Sequence, residues 1–133
     1  MQAKFTTRRQ GFMNYGNPLQ RIINASRYSL DGLAYALKHE QAFRYEAVVL
    51  VIVCTVMVIV DIPALQGVIF AGAWLVVMCL ELVNSAAEKI FDLLTEDYSP
   101  IVKAGKDMLS ASVFLGICFN IILWVVAIIS HSN

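Results

Sequence analysis

Charged residues are scarce in this sequence of 133 residues, where they make up 15% of the chain. Soluble globular domains carry about 25% charged residues and about 45–50% apolar ones, whereas 59% of this sequence is hydrophobic. The two histidines and three isolated cysteines have no metal-ligand spacing, and an odd number of cysteines does not make a disulfide framework. The net charge is zero and therefore predicts no nucleic-acid partner.

Three long uncharged segments are the main feature that the sequence does have. They run from Ala47 to Val60, from Ile62 to Leu80 and from Met108 to Ser130, over 14, 19 and 23 residues. A membrane-spanning helix needs about 20 apolar residues, so the second and third segments suffice alone. The first suffices when its flanking residues lie in the interfacial zones. We therefore predict an all-α membrane protein with three spans, at about 43–61, 63–94 and 106–130.

The positive charges fall on one side of this three-span arrangement. Seven of the ten lysines and arginines precede the first span, and Lys89, Lys103 and Lys106 lie between the second and third spans. Cytoplasmic segments of membrane proteins are enriched in such residues. The N-terminus and the segment 89–107 are therefore predicted to be cytoplasmic, and the C-terminus is predicted to face outward.

An amphipathic segment precedes the first span. Asn17 is a suitable cap for a helix that begins at Pro18, and leucines and isoleucines then recur on one face as far as Leu37. We predict a helix over about 17–39 that lies on the cytoplasmic membrane surface. A soluble helix packed on a partner is the alternative. Residues 1–15 are predicted to be an extension of a membrane domain that covers 16–133.

Polar residues form a stripe near the end of the second span. Glu81, Asn84, Glu88 and Asp92 share one face of a helix. Glu81 follows Asp61 by 20 residues, which corresponds to about 30 Å of helix, so it is expected at the cytoplasmic interface. An ionisable residue in a span is costly and therefore suggests a function. A structural network between helices is the alternative.

More charged groups are expected at the same depth. Glu40 and Glu46 precede the first span, and Lys106 and Asp107 precede the third. Mg²⁺ prefers oxygen ligands and usually shares them with nucleotide phosphates, while a lysine suits the phosphates. Neither a Walker A pattern nor the protein-kinase motifs occur. The residues alone therefore predict an interfacial site for a metal and an anion.

Four segments resemble the bacterial diacylglycerol kinase family. They are 21–33, 40–46, 81–88 with the pattern Glu-x-x-Asn-Ser-Ala-x-Glu, and 106–110, and the similarity extends from about Gly16 to Trp124. The resemblance implies a homotrimer of three-span chains in the bacterial inner membrane, with a periplasmic C-terminus. It also implies phosphorylation of diacylglycerol with Mg²⁺ and ATP, at active sites shared between chains. The implied partners are ATP, diacylglycerol, the lipid bilayer and further copies of the chain.

The same resemblance implies roles for single residues. Glu81 matches the family's proton acceptor, and Glu40 and Glu88 match metal ligands that also contact ATP. The other implied ATP contacts are Arg21, Tyr28, Asp97, Tyr98, Ser99, Lys106 and Asp107. The implied lipid contacts are parts of 25–37 with Arg21, Ala42, Phe43, Arg44, Tyr45, Glu46, Glu81, Ser110 and Trp124. The sequence departs from the family at two positions, because relatives often carry histidine in place of Ser99 and because Lys89 adds a charge beside Glu88.

Two other functions are compatible with parts of this pattern. A kinase of another lipid alcohol, such as undecaprenol, would share the mechanism and the site. A small transporter or a structural membrane protein is the second alternative. A transporter would hold its essential acid near the bilayer midplane, whereas Glu81 is expected at the interface.

Overall fold

The computed structural model describes residues 17–94 and 97–131. This part of the chain forms four α-helices and no β-strand, which confirms the all-α class. The helices are α1 Pro18–His39, α2 Gln41–Ile59, α3 Ala64–Leu94 and α4 Pro100–His131. The extension predicted over residues 1–15 lies outside the described residues.

Helices α2, α3 and α4 have the length and composition of membrane spans. Helices α3 and α4 contain 31 and 32 residues, so each is about 46–48 Å long at about 1.5 Å per residue. The hydrocarbon core of a bilayer is about 30 Å thick. Each of these two helices is therefore about 16 Å longer than the hydrocarbon core if it crosses close to the membrane normal.

The third span begins earlier than its predicted start at residue 106. Helix α4 begins at Pro100, because proline is favoured at the first position of a helix, where an N–H group would have no intrahelical partner. The N–H of Lys103 already donates to the carbonyl of Ser99 at 2.9 Å. Lys103 and Lys106 are consequently on the first turns of a helix, and the connection between α3 and α4 is short.

The described residues divide into two compact units, with the boundary between Tyr35 and Ala36. In the described part of the first unit, the side chain of Asn17 accepts a hydrogen bond from the N–H of Leu19 at 3.3 Å, which confirms the predicted helix cap. All described residues of this unit are exposed, including the apolar side chains of Leu19, Ile22 and Ile23. The apolar face that was predicted to lie on a membrane is therefore uncovered within the unit.

In the second unit, helix α3 packs against both α2 and α4. Val77 is fully buried, and Phe43, Met57, Phe70 and Met78 are the other large side chains of the small core. A Cβ atom at Gly116 of α4 would lie 3.1 Å from Cγ2 of Val77, so the absence of a side chain at Gly116 lets the two helices approach closely. Most other apolar side chains are exposed, as expected for helices that face lipid.

A tight turn joins α2 to α3 at the end that was predicted to face outward. Asp61 has a φ of 56°, in the left-handed region. The N–H of Ile62 donates to the carbonyl of Met57 at 3.0 Å, and the N–H of Asp61 donates to that of Val58 at 3.4 Å. These bonds form a Schellman motif, in which an aspartate occupies the position that is usually glycine.

Candidate active site

Four carboxylates of the second unit lie at and around Glu81, and they come from two parts of the sequence, 40–46 and 81–88. Glu46 lies on α2 and Glu81 on α3, and each is only 7% exposed. Glu81 interacts electrostatically with Glu46 and with Glu88, which lies about two turns further along α3. It also interacts with Glu40, the residue just before α2. The structure therefore places the predicted proton acceptor, Glu81, near each of the two predicted metal ligands.

Buried amide and hydroxyl groups surround the Glu81 carboxylate. Ser85 Oγ donates to Glu81 Oε1 at 3.4 Å, and the Asn84 side chain also forms a hydrogen bond with Glu81. Asn84 and Ser85 are 8% and 7% exposed. Asn84 Oδ1 and Glu46 Oε2 are buried without a hydrogen-bond partner among the described residues. Such acceptors cost free energy until a donor reaches them, so both are suited to a substrate hydroxyl or another donor.

The Trp74 side chain fixes the position of Glu46. Its Nε1 donates to the backbone carbonyl of Glu46 at 2.9 Å, which ties α3 to the first turns of α2. Phe43, one turn before Glu46, packs with Ala36 and Met78 in the adjoining core. The backbone that carries Glu46 is therefore held from two sides.

Glu40 forms an ion pair that the sequence did not predict. The Lys89 ammonium nitrogen lies 2.6 Å from Glu40 Oε1, and the Glu40 side chain is 19% exposed. Since this oxygen already accepts one cation, its position also suits a metal ion. No three histidine, cysteine or acidic side chains in the described ranges converge as a complete metal site. Glu40 and Glu88, which each lie near Glu81, carry the oxygen ligands that Mg²⁺ prefers, and Mg²⁺ commonly takes its other ligands from phosphates and water.

A cavity of about 470 Å³ lies between the ends of α3 and α4, and we call it the polar cavity because most of the residues that line it are polar. It contains four of the predicted ATP contacts together with residues that were not predicted. Its lining consists of Phe91, Asp92, Asp97, Tyr98, Ser99, Val102, Lys103 and Lys106. Sequence reasoning missed Phe91, Val102 and Lys103 as cavity residues. Lys103 could have been found from its spacing, because residues three apart on a helix share one face.

Ion pairs hold the polar side chains around this cavity. Lys106 contacts Asp92 across the two helices, and Lys103 contacts Asp107 one turn along α4. Asp107, another predicted ATP contact, is thereby drawn toward Lys103. Two ammonium groups and an exposed aromatic ring at Tyr98 provide the cavity with groups suited to phosphates and to a base.

The predicted lipid contacts before and within α2 differ in exposure. Phe43 and Glu46 are buried, whereas Ala42, Arg44 and Tyr45 are exposed. The Arg44 guanidinium donates to the carbonyl of Lys38 at 3.1 Å. Ser110 on α4 is also exposed, and Arg21 and Tyr28 are exposed within the first unit.

Trp124 lies at the other end of the helices. It stacks on Phe70, with ring centroids 4.5 Å apart, and lines a cavity of about 370 Å³ beside the turn at Asp61. Phe70 precedes Glu81 on α3 by 11 residues, which is about 16 Å of helix. The structure therefore does not bring Trp124 to the carboxylate cluster. Any lipid contact at Trp124 would involve a part of the lipid other than the hydroxyl that reaches Glu81.

Three helices with the character of membrane spans, a buried carboxylate cluster and an adjoining polar cavity define an integral-membrane enzyme. Residues 27–128 match the family of prokaryotic diacylglycerol kinases, a range that begins after Arg21. The chain is 34% identical over 111 residues to diacylglycerol kinase of Escherichia coli K12, with 84% of this chain and 91% of that protein covered. Diacylglycerol kinase of Haemophilus influenzae is 35% identical over 106 residues, with 80% and 90% covered. Diacylglycerol kinase of Pseudomonas aeruginosa is 32% identical over 106 residues, with 80% of this chain and 86% of that protein covered.

The chain therefore belongs to the prokaryotic diacylglycerol kinase family, as its four motifs indicated. It is a multi-pass membrane protein and an enzyme of the diacylglycerol kinase class.

Proposed function

We propose that this enzyme transfers the terminal phosphate of ATP to the free hydroxyl of diacylglycerol, with phosphatidic acid and ADP as products. The reaction takes place at the cytoplasmic face of the bacterial inner membrane. The observation that supports this most is the Glu81 carboxylate, which is 7% exposed within a span and belongs to a carboxylate cluster. Lipid reaches this depth from the bilayer, and ATP reaches the neighbouring cavity from water.

Glu81 acts as the general base. Its carboxylate accepts the proton of the lipid hydroxyl while the hydroxyl oxygen forms a bond to the terminal phosphorus of ATP. The bond between that phosphorus and the bridging oxygen of ADP breaks, and ADP leaves with the bonding electrons. Positioning and charge stabilisation supply most of the catalysis in such transfers. Asn84 and Ser85 hold the base in place through their hydrogen bonds.

Glu40 and Glu88 would hold the Mg²⁺ ion that accompanies ATP. When bound, the ion neutralises negative charge on the transferring phosphate. Lys106 contacts the phosphates, and Lys103 adds a second positive charge on the same face of α4. Asp97, Tyr98 and Ser99 form the cavity wall around the nucleotide. Arg21, Tyr28 and Asp107 are proposed as additional nucleotide contacts on the basis of the family motif.

We propose that the lipid is bound at the start of α2 and that three chains form the active enzyme. Glu46 contacts the lipid near its hydroxyl, and 42–45 and Ser110 contact the remainder of the headgroup region. The α1 helix lies on the cytoplasmic membrane surface through its apolar face. Asn84 Oδ1 and Glu46 Oε2 have no donor among the described residues of one chain. A second chain would supply these donors, or would close the site around substrates that supply them.

A substrate panel tests the proposed reaction. Purified protein in detergent is given Mg·ATP with diacylglycerol, undecaprenol, ceramide or a long-chain alcohol, and phosphorylated lipid is measured. We expect the highest kcat/KM with diacylglycerol and no product without ATP. A higher kcat/KM with undecaprenol than with diacylglycerol would show that another lipid alcohol is the preferred substrate. The absence of transfer to every lipid, from a protein that is folded and binds ATP, would contradict the proposed function.

A further inference from the structure

The ion pair between Lys89 and Glu40 places a lysine on a residue that is proposed to bind the metal. Lys89 follows Glu88 on α3, and Glu40 precedes α2, so the pair joins two elements that are far apart in sequence. The Lys89 side chain is 47% exposed, whereas that of Glu40 is 19% exposed. The ammonium therefore reaches inward from water to a largely buried carboxylate.

We infer that Lys89 is an internal counter-ion that occupies the cation position on Glu40 until a divalent metal replaces it. This inference rests on the proposed role of Glu40 as a metal ligand. Mg²⁺ binds carboxylate oxygens at about 2.0–2.1 Å, and the ammonium nitrogen is 2.6 Å from Oε1. A metal on either oxygen of this carboxylate would therefore lie only a few ångströms from the ammonium, and the two positive charges would repel each other.

The carboxylate cluster explains why a counter-ion is useful before the metal arrives. Glu40 and Glu88 each repel Glu81 in a partly buried region, and Lys89 neutralises the charge of Glu40. A lysine side chain is long and flexible, and this one already extends into water. It can therefore leave Glu40 when the metal and the nucleotide enter. Lys89 thus stabilises the metal-free protein and weakens its affinity for divalent metal.

Metal binding can be measured directly, without turnover. Mn²⁺ is titrated into the purified full-length protein with a non-hydrolysable ATP analogue, and free Mn²⁺ is followed by electron paramagnetic resonance. Lys89→Gln removes the charge and retains much of the length, and Lys89→Arg retains the charge. Lys38→Gln is the matched control, because it removes the same charge two residues from Glu40. Lys38 belongs to none of the ion pairs of the described residues.

Lys89→Gln is expected to lower the Mn²⁺ concentration at half-saturation by about three- to fivefold, the size of one partly exposed ion pair. Lys89→Arg and Lys38→Gln are expected to remain near the wild-type value. Without metal, Lys89→Gln should have a lower Tm than the wild type, and saturating Mn²⁺ should reduce the difference. The inference requires both results.

An unchanged or higher half-saturation concentration in Lys89→Gln would overturn the inference, since Lys89 would then not compete with the metal. Glu40→Gln separates this failure from a failure of the proposed function. If Glu40→Gln weakens Mn²⁺ binding while Lys89→Gln has no effect, Glu40 is a ligand and only the exchange of cations is wrong. If Glu40→Gln also has no effect, the metal does not use Glu40, and both the ligand assignment and the inference fail.

Discussion

The side-chain ammonium of Lys106 on α4 contacts a carboxylate oxygen of Asp92 on α3, and this ion pair joins the two helices beside the polar cavity. The Asp92 side chain is 67% exposed and that of Lys106 is 34% exposed. Exposed ion pairs contribute about 0–1 kcal/mol. Asp92 therefore holds Lys106 weakly enough for a nucleotide phosphate to replace it.

Lys106→Ala is expected to raise the KM for ATP by about tenfold or more, because a hydrogen bond between charged groups contributes about 1.5–3 kcal/mol. Asp92→Asn removes the ion pair with Lys106 but leaves the positive charge of Lys106 in place, so it should change the KM for ATP much less. Both values are measured at saturating diacylglycerol, with Lys38→Ala as the control for a lost surface charge. The proposed contact between Lys106 and the ATP phosphates would be contradicted if Asp92→Asn raised the KM and Lys106→Ala did not.

Glu40→Gln and Glu88→Gln are each expected to raise the Mg²⁺ concentration required for half-maximal activity by about tenfold or more, since each removes an oxygen ligand with its charge. Asp61→Asn is the matched control at the opposite end of the spans, where asparagine tolerates the left-handed backbone. Mg²⁺ titrations of activity give the comparison. An unaltered Mg²⁺ requirement in both glutamate variants would show that neither residue is a metal ligand.

Asn120 has a structural role that is separate from catalysis. It is 3% exposed on α4, and its Nδ2 donates to the carbonyl of Ala73 on α3 at 3.2 Å and to that of Gly116 at 3.0 Å. Asn120→Ala should lower the free energy of unfolding by about 0.6–1.7 kcal/mol, the range for such bonds between membrane helices.

Ser112→Ala is the control for Asn120→Ala, because the Ser112 hydroxyl donates only to the Leu109 carbonyl within the same helix in the contacts described. Unfolding in mixed detergent micelles gives the stabilities, and the KM for ATP should be unchanged in both variants. Equal losses of stability in Asn120→Ala and Ser112→Ala would mean that the bond between the helices contributes nothing of its own.

The sequence predicted the features that depend on one helix at a time. The three apolar runs led to helices with the character of spans, and the spacing of Glu81, Asn84 and Glu88 placed them on one face. Asn17 was predicted correctly as a cap because its partner, the Leu19 N–H, is two residues away. Such features follow from helix periodicity and local hydrogen bonding.

The features that depend on two helices could not be predicted in the same way. The Lys89–Glu40 ion pair and the Phe70–Trp124 stack are set by the rotation and crossing of neighbouring helices, which no local pattern records. Asn120 did carry a signal, since a polar residue within a long apolar run usually bonds to another helix. The start of α4 at Pro100 could also have been predicted, because proline is favoured at the first position of a helix.

The proposed sharing of active sites between chains predicts recovery of activity in mixtures of variants that are each impaired, measured at ATP and Mg²⁺ concentrations below those that saturate Lys106→Ala and Glu40→Gln. Glu81→Gln is unfolded and refolded together with Glu40→Gln, and separately with Lys106→Ala, so that mixed oligomers form. Suppose that Glu81 of one site and the Glu40 or Lys106 of the same site come from different chains. Some sites in a mixed oligomer will then combine the unaltered residue of each parent and be intact. We expect activity above that of both parents in at least one mixture.

Each parent variant refolded alone gives the baseline for its mixture, and exchange of subunits is verified with two affinity tags. Mixtures that remain as inactive as their parents, despite verified exchange, would confine each site to a single chain.

The role of Glu81 as the base is the centre of this account, and the rate of diacylglycerol phosphorylation by Glu81→Gln tests it most directly. The amide has nearly the same shape as the carboxylate but cannot accept the hydroxyl proton. With both substrates saturating, we expect kcat to fall by at least about 100-fold, the usual contribution of a general base. ATP affinity and thermal stability should stay close to those of the wild type. A kcat above about a tenth of the wild-type value in a folded, ATP-binding Glu81→Gln protein would contradict the account, because a general base contributes more than that.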